Sequence, residues 1–198
     1  MLILASASPR RQELLRNAHI PFVVQSANVA EEHRAGEIPE SCVRRLAREK
    51  AEAVAKQAKT NATILAADTE VVLDLKSGTP LGKPRDAGDA ARMLHLLSNR
   101  IHYVVTGVCL MWNESNEWQS RDAAEITMVQ MTMLNENDIR DYVATGEPMD
   151  KAGGYAIQGI ASRWIPRIEG CYFNVVGLPV PLVYRMLREC APQALAEL

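Results

Sequence analysis

The 198-residue sequence has no apolar run that approaches the roughly 20 residues an α-helix needs to cross a bilayer. Its first residues also lack the positively charged region and the longer apolar stretch of a secretory signal peptide. The formal net charge of -2 argues against a general nucleic-acid binder, which would be strongly basic. We therefore expect a cytoplasmic protein with no membrane or nucleic-acid partner, in which any functional positive charge is concentrated locally.

Motifs for several common chemistries are also missing. The sequence contains neither the GxxxxGK[ST] phosphate-binding loop nor the GxSxG nucleophile elbow. The four cysteines are far apart and form no CxxC motif, which favours free buried thiols over disulfides or zinc ligands. No metal-ligand spacing occurs among the histidines, which are His19, His33, His95 and His102.

What is present is an alternation of strand-like and helix-like segments, which predicts an α/β fold. A clean 3.6-residue apolar period predicts a long helix over 39–58. Strands are predicted over 20–24, 63–67, 71–73, 101–112, 118–133 and 162–168, with a C-terminal helix from Pro179. Short loops and long central strands predict one extended sheet flanked by helices, within a single domain over 1–198.

An unusual charge arrangement occurs at Ser8-Pro9-Arg10-Arg11. Ser8 suits an N-cap and Pro9 the first helical position, so both arginines fall in the first turn of a helix. Each cation there forfeits roughly 0.3–1 kcal/mol against the positive end of the helix dipole. A bound anion would reverse this cost, because free N–H groups and two guanidiniums would converge on it. The alternative is a pair of solvated arginines on an exposed turn.

Two lysines stand out less strongly. Lys50 lies on or beside the apolar face of the long predicted helix. An inward lysine needs a partner, because burying an unpaired ammonium is prohibitive. The alternative is a lysine whose stem runs along the apolar face to reach solvent. Lys83, in the turn 81–84, is by itself typical of a turn residue.

Asp68 interrupts a buried-type strand with a carboxylate. Strand alternation places Asp68 and Glu70 on one face, about 7 Å apart. Carboxylates at a strand end suit Mg²⁺ ligation or activation of a water as a general base, whereas an exposed edge or a bend is the alternative. Glu31 and Glu32, in the polar stretch before the long helix, are either further acidic ligands or solvated charge.

The segment 150–159 has three glycines within seven residues, so its backbone can approach a ligand closely. Gln158 within it carries two donors and an acceptor, enough to read the edge of a pyrimidine ring. A mobile surface loop without a ligand is the alternative.

Together these segments resemble the Maf family of nucleoside triphosphate pyrophosphatases. The matching pieces occur in the family's order over nearly the whole chain: SASPRR at 6–11, RLAREKA at 45–51, AADT at 66–69, GKPRD at 82–86, EPMDKAGGYAIQG at 147–159 and VVGLP at 175–179. The form of the 147–159 piece resembles the branch that acts on dTTP and UTP.

The resemblance implies an α/β sheet bent around a deep cleft between two lobes, and a homodimer. It implies hydrolysis of dTTP and UTP to the monophosphate and pyrophosphate, with Mg²⁺ or Mn²⁺ as cofactor. Asp68 is then the catalytic acid/base, and Asp68 and Glu32 are metal ligands. The substrate-binding and specificity residues are Ser6, Arg10, Arg11, Lys50, Thr69, Lys83 and Gln158.

One residue departs from the family pattern, and one alternative function remains. Glu70 stands where family members commonly have an apolar residue, so it is either a solvated variant or an extra metal ligand. The alternative function is a non-catalytic nucleotide-binding regulator, because the family is also associated with septum formation in cell division.

Overall fold

The structure, a computed structural model, describes residues 1–58, 62–76, 79–115 and 117–195. Its strands are β1 (Leu2–Leu4), β2 (Val23–Val24), β3 (Thr63–Val72), β4 (Ile101–Glu114), β5 (Glu117–Gln130) and β6 (Arg167–Glu169). Its α-helices are α1 (Pro9–Asn17), α2 (Pro39–Ala55), α3 (Ala87–Leu97), α4 (Glu136–Ala144), α5 (Tyr172–Val176) and α6 (Val180–Cys190). Short 3-10 helices occur at Glu147–Asp150, Ala152–Gly154, Ile160–Trp164 and Pro192–Leu195. None of the helices in these ranges combines the length and the hydrophobicity needed to cross a bilayer.

The strands form one mixed sheet in the order β2-β1-β3-β4-β5-β6. Strand β1 pairs in parallel with β2 and with β3, whereas the pairs from β3 to β6 are antiparallel. Parallel neighbours need a crossover, and helices α1 and α2 lie in the connections that reach β2 and β3. The predicted α/β fold with a mixed central sheet flanked by helices is confirmed.

Strand β3 runs unbroken through its polar centre, so the predicted interruption between 67 and 71 is wrong. In the ladder with β4, Asp68 lies opposite Gly107 and Glu70 opposite Val105. Pairing with a long neighbouring strand outweighs the local preference of the polar residues for a bend. Asp68 therefore lies in the middle of a strand and not at its end.

Helix α2 packs directly on β3 and β4, and a glycine permits this contact. A Cβ built on Gly107 would overlap the backbone carbonyl of Val43, so no larger residue fits there without moving the helix. The helix ends at Ala55, and residues 56–58, which were predicted to be helical, form a turn. This close packing brings the inward side of α2 over the polar centre of β3.

The opposite face of the sheet carries two separate apolar clusters. In one, Leu14 of α1 and Leu182 of α6 pack with β1 and with Leu65 of β3. In the other, Leu94 of α3 and Ile139 of α4 pack with residues of β4 and β5. The clusters correspond to the two lobes that the family resemblance implied.

Two predicted strands are wrong in their bounds, and both contain a proline. The predicted strand over 162–168 is a 3-10 helix, Ile160–Trp164, followed by β6 after Pro166. The predicted strand over 20–24 shortens to β2 after Pro21. Proline has no N–H to donate to a ladder, which limits both strands. Helix α5 was not predicted.

Candidate active site

A cleft of about 420 Å³ opens between the two apolar clusters. Residues 5–11, the centre of β3 and residues 150–158 contribute to its walls. Its cationic lining residues, within the described part of the chain, are Arg10, Arg11, Lys50, Lys83 and Lys151. Its carboxylates, within the same part, are Glu31, Asp68 and Asp150. A chain with a net charge of -2 thus concentrates cations in one place.

Lys50 is buried and paired, so the interpretation of a lysine reaching solvent is wrong. Its Nζ donates to Oδ1 of Asp68 and to Oε1 of Glu31, at 2.5 Å each. Lys50 and Asp68 are only 8% and 7% exposed. Burial raises the pKa of Glu31, but the hydrogen bond from Lys50 together with the positive charges of Lys50, Lys83 and Arg11 holds this pKa below its ordinary value. The two carboxylates thus compensate the cost of burying the Lys50 ammonium group.

The two carboxylates that bind Lys50 also suit a divalent cation. The Asp68 and Glu31 carboxylates converge on one cationic atom, Nζ of Lys50, inside the cleft. Oxygen ligands from carboxylates are those that Mg²⁺ and Mn²⁺ prefer. Glu32, the predicted second ligand, is exposed and does not line the cleft, whereas its neighbour Glu31 does. The structure therefore brings Glu31 to the place where Glu32 was expected.

Arg11 is anchored and not solvated. Its Nε donates to the carbonyl of Gly177 at 2.8 Å, and its Nη1 donates to the carbonyl of Ala67 at 2.7 Å. Further bonds run from Nη1 to Ser6 Oγ at 3.2 Å and from Nη2 to Thr69 Oγ1 at 3.0 Å. Burial lowers the pKa of Arg11. The guanidinium thus joins the start of α1, strand β3 and the end of α5.

The helix start at Ser8 has the predicted position, but the capping differs. Helix α1 begins at Pro9, and the Ser8 side chain makes no capping hydrogen bond. Instead, the Ser8 N–H donates to Ser6 Oγ at 3.2 Å. Arg10, in the first turn as predicted, pairs with Asp150 across the cleft at 3.0 Å. The first turn therefore presents Arg10 to the cleft and to the 3-10 helix that faces it.

The loop that carries Gln158 is held by a partly buried set of hydrogen bonds around Glu147. Glu147 Oε1 accepts hydrogen bonds from the Tyr142 hydroxyl at 2.9 Å and from the Ile160 N–H at 3.1 Å. The Tyr142 oxygen accepts from the Ala156 N–H at 3.2 Å. A Cβ on Gly159 would overlap the Glu147 carboxylate, so the glycine allows this approach. Gln158 is exposed and lines the cleft on a loop that is fixed at both ends.

The other predicted site residues lie in or beside the cleft. Lys83 is exposed at its rim, and Ser6 is buried in its wall. Thr69 also lines the cleft, where its Oγ1 lies 3.0 Å from Thr106 Oγ1. Sequence reasoning did not single out Asp150 and Lys151 as cleft residues, although both stand in the glycine-rich segment that was singled out for ligand contact.

Glu70 is buried, so the interpretation of a solvated variant is wrong. It is 5% exposed on the same face of β3 as Asp68, outside the cleft lining. Burial raises its pKa to about 7, and the adjacent Cys42 thiol opposes part of this shift. The four cysteines are free thiols, as predicted, but only Cys42 and Cys109 are buried, whereas Cys171 and Cys190 are partly exposed.

Comparisons with known proteins identify the family of the chain. A family model described as Maf-like protein matches residues 1–190. A Koribacter versatilis protein named dTTP/UTP pyrophosphatase is 52% identical over 187 residues, covering 94% of this chain and 93% of its own. A Syntrophomonas wolfei protein with the same name is 48% identical over 184 residues, covering 93% and 94%. The solved Staphylococcus aureus Ham1 protein matches 66% of this chain and 71% of its own at 17% identity, and its TM-score of 0.46 supports no conclusion. The chain belongs to the Maf family.

Proposed function

We propose that this chain hydrolyses dTTP and UTP to the monophosphate and pyrophosphate. The observation that carries the proposal is the cluster of Lys50, Asp68 and Glu31 in a cleft with further cations around it. A triphosphate is polyanionic, and such a cluster offers both the positive charge to bind it and a carboxylate to activate water. The relatives' shared name supports the choice of substrates.

In the proposed mechanism the cations stabilise the charge that develops on the phosphates. Lys50, Lys83 and Arg10 contribute directly, since each presents its charge to the cleft. Arg11 donates most of its N–H groups to the protein, so its larger part is to position Thr69 and the helix start. A contact between Arg11 and a phosphate stays a prediction.

Asp68 is the proposed general base. Lys50 donates to Oδ1, so the proposal assigns proton transfer to the second oxygen, Oδ2. The water activated there attacks the α-phosphorus, the bond from this phosphorus to the α–β bridging oxygen breaks, and pyrophosphate leaves. Asp68 and Glu31 would hold Mg²⁺ or Mn²⁺, which when bound neutralises phosphate charge and orients the leaving group.

Gln158 and Thr69 are the proposed specificity residues. The side-chain amide of Gln158 offers donors and an acceptor to a pyrimidine edge, on a loop held by Glu147. A site that reads a base by hydrogen bonds rejects other bases strongly, because its own polar groups are then left unpaired.

The deciding experiment is a panel of dTTP, UTP, CTP, ATP and GTP with Mn²⁺ or Mg²⁺, in which pyrophosphate and orthophosphate are measured separately. We expect pyrophosphate in equal amount to monophosphate, with dTTP and UTP as the preferred substrates. Release of orthophosphate would instead indicate a phosphatase. Nucleotide binding without any release would favour the non-catalytic regulator.

The specificity assignment is tested by Gln158→Ala. We expect a smaller ratio of kcat/KM for dTTP over ATP, because the pyrimidine edge loses its partner. Gln130→Ala, an exposed glutamine outside the cleft, is the matched control. If Gln158→Ala preserves the full pyrimidine preference, another residue reads the base.

The homodimer that the family resemblance implies is also proposed, and light scattering on the purified chain tests it. A monomer mass at micromolar concentration would contradict it. Cytoplasmic location stays a prediction.

A further inference from the structure

Three potential metal ligands meet beside the cleft, on segments that are distant in sequence. His33 lies in the segment before α2, Cys42 in the first turns of α2, and Glu70 on β3. One ligand atom from each lies within 4.8 Å of the other two. None of the three lines the cleft, so the proposed hydrolysis does not use them.

The Glu70 carboxylate is a second, independent observation that points to a cation at this cluster. Its side chain is only 6% exposed, and neither oxygen accepts a hydrogen bond of good geometry from the described residues, although the adjacent Cys42 thiol offsets part of the rise that burial causes in the pKa of Glu70. Its nearest basic group is Nδ1 of His33, at 3.4 Å. A buried carboxylate with so little compensation is costly, unless a cation completes its surroundings.

The distances between the three groups suit tetrahedral zinc. Usual zinc–ligand bond lengths place tetrahedral nitrogen and oxygen ligands about 3.4 Å apart, and nitrogen and sulfur ligands about 3.6 Å apart. Here His33 Nδ1 lies 3.4 Å from Glu70 Oε1 and 3.4 Å from Cys42 Sγ. We propose that His33, Cys42 and Glu70 form a zinc site, with water in the fourth position.

The chemistry of the ligands separates this site from the cleft. A thiolate and an imidazole favour Zn²⁺ over Mg²⁺, whereas the carboxylates of Asp68 and Glu31 favour Mg²⁺ or Mn²⁺. The side chain of His33 is 47% exposed, which leaves a path for the ion and room for a water ligand. In the metal-free chain burial and the nearby Glu70 and Glu37 carboxylates raise the pKa of the Cys42 thiol, so zinc would bind with release of the thiol proton.

Zinc there would tie three elements together. His33 is two residues beyond Glu31, which bonds Lys50 in the cleft. The ion would therefore fix the segment that carries Glu31 against α2 and β3. Binding to the folded chain but not to the unfolded chain also raises the melting temperature as zinc is added.

The test uses the full chain, stripped of metals and then titrated with Zn²⁺ by calorimetry in saturating Mg²⁺. We expect one zinc per chain. Cys42→Ala and His33→Ala should each weaken binding by at least the roughly 10–100-fold that loss of a supporting contact around a metal costs. Titration with Co²⁺ should give the charge-transfer absorption of a thiolate–cobalt bond, which Cys42→Ala abolishes.

Two matched variants control for the loss of a thiol and of an imidazole. Cys109→Ala removes another buried thiol, in the packing of α2 on the sheet. His95→Ala removes a histidine that is also 47% exposed and lies 3.5 Å from a carboxylate, that of Glu136. Both should bind zinc like the parent chain.

The proposal is overturned if no zinc binds in Mg²⁺, or if the Co²⁺ complex of the parent chain lacks the thiolate band. It is equally overturned if Asp68→Asn abolishes zinc binding while Cys42→Ala does not, which places the ion in the cleft. The spectrum of the parent chain decides the matter even if a variant folds poorly. None of these measurements depends on nucleotide hydrolysis.

Discussion

The two faces of the sheet at its centre handle buried polar groups in opposite ways. On the face under α2 the buried polar groups include Lys50, Asp68 and Glu70, all of which are ionisable. On the other face they include His102, Thr106, Thr127 and Asn174, each fully buried. Burial lowers the pKa of His102 to about 4, so near neutral pH this second set is uncharged.

The second face pairs its polar groups with one another, although His102 Nδ1 and Asn174 Oδ1 have no hydrogen-bond partner among the described residues. Asn174 Nδ2 donates to Thr127 Oγ1 at 2.9 Å and to the Val104 carbonyl at 3.0 Å. His102 Nε2 lies 2.7 Å from the Tyr155 hydroxyl. Neutral hydrogen-bonded pairs need no counter-charge and no ligand, so this face stabilises the fold.

The face under α2 depends on charge balance. Asp68 has Lys50 as its counter-ion, but Glu70 has no strong cationic partner among the described residues. Charged groups in a partly dry environment act strongly on whatever binds beside them. The difference teaches that the proposed base and the candidate ion ligands belong to one face of β3, whereas the fully buried polar groups of the other face maintain the shape.

The largest expected effect is on the charged face. Asp68→Asn keeps the shape of the side chain and removes the base, so kcat for pyrophosphate release from dTTP should fall by about 10²–10⁴-fold. Asp141→Asn, an exposed carboxylate on α4, should leave kcat unchanged. Near-normal turnover by Asp68→Asn would remove Asp68 from the mechanism. If Thr127→Val, on the other face, lost as much kcat as Asp68→Asn, the proposed difference between the two faces would be wrong.

The second-largest effect is expected from His102→Gln, which tests whether the buried polar groups of the second face are uncharged. His102 is harder to protonate in the folded chain, with a pKa near 4, than in the unfolded chain, with a pKa near 6.5. Its contribution to stability is complete above pH 6.5 and is lost as the pH falls towards 4, because the unfolded chain binds the extra proton. The free energy of unfolding should therefore drop by about 3 kcal/mol more in the parent chain than in His102→Gln.

Urea denaturation of both proteins at pH 7 and pH 4 measures this difference. The comparison between two proteins cancels the carboxylates that also titrate over this range. Parallel losses in the two proteins would mean that His102 titrates normally, and the second face would then carry a charge in acid.

Periodicity in the sequence predicted much of the fold but little of the difference between the two faces of the sheet. The 3.6-residue pattern of α2 placed Lys50 on or beside the apolar face but left open whether it is buried with a partner or reaches solvent. Alternation was enough to place Asp68 and Glu70 on one face. Both are local properties of the backbone. The motifs, taken in order, also predicted the family. That residues 1–198 form a single domain remains a proposal.

The side-chain contacts within the site were not predictable, because they depend on how segments that are distant in sequence pack together. Lys50 meets Asp68 only through the close packing of α2 at Gly107. The conformation of the segment before α2 selects Glu31 over Glu32, two residues of identical chemistry. His33, Cys42 and Glu70 come from three segments with no shared spacing, so no short pattern could have found their cluster.

A smaller effect is expected from Asn174→Ala. The change removes both hydrogen bonds of the Nδ2 group and leaves the Thr127 hydroxyl and the Val104 carbonyl with one partner fewer. We expect the free energy of unfolding to fall by about 2 kcal/mol, independent of pH between 5 and 8. Asn137→Ala, on the exposed first turn of α4, is the control. A pH-dependent loss would show that Asn174 is coupled to an ionised group after all.

The smallest effect is expected from Tyr155→Phe, which removes one hydroxyl from the second face. Burial raises the pKa of Tyr155, so the hydroxyl stays protonated and forms a neutral pair with His102. The edge-to-face contact of the two rings, with centroids 5.4 Å apart, is preserved by phenylalanine. The free energy of unfolding at pH 7 should therefore fall by only about 1 kcal/mol. A double-mutant cycle with His102→Gln measures the coupling, and a value of several kcal/mol would mean that the pair is ionic, as on the face under α2.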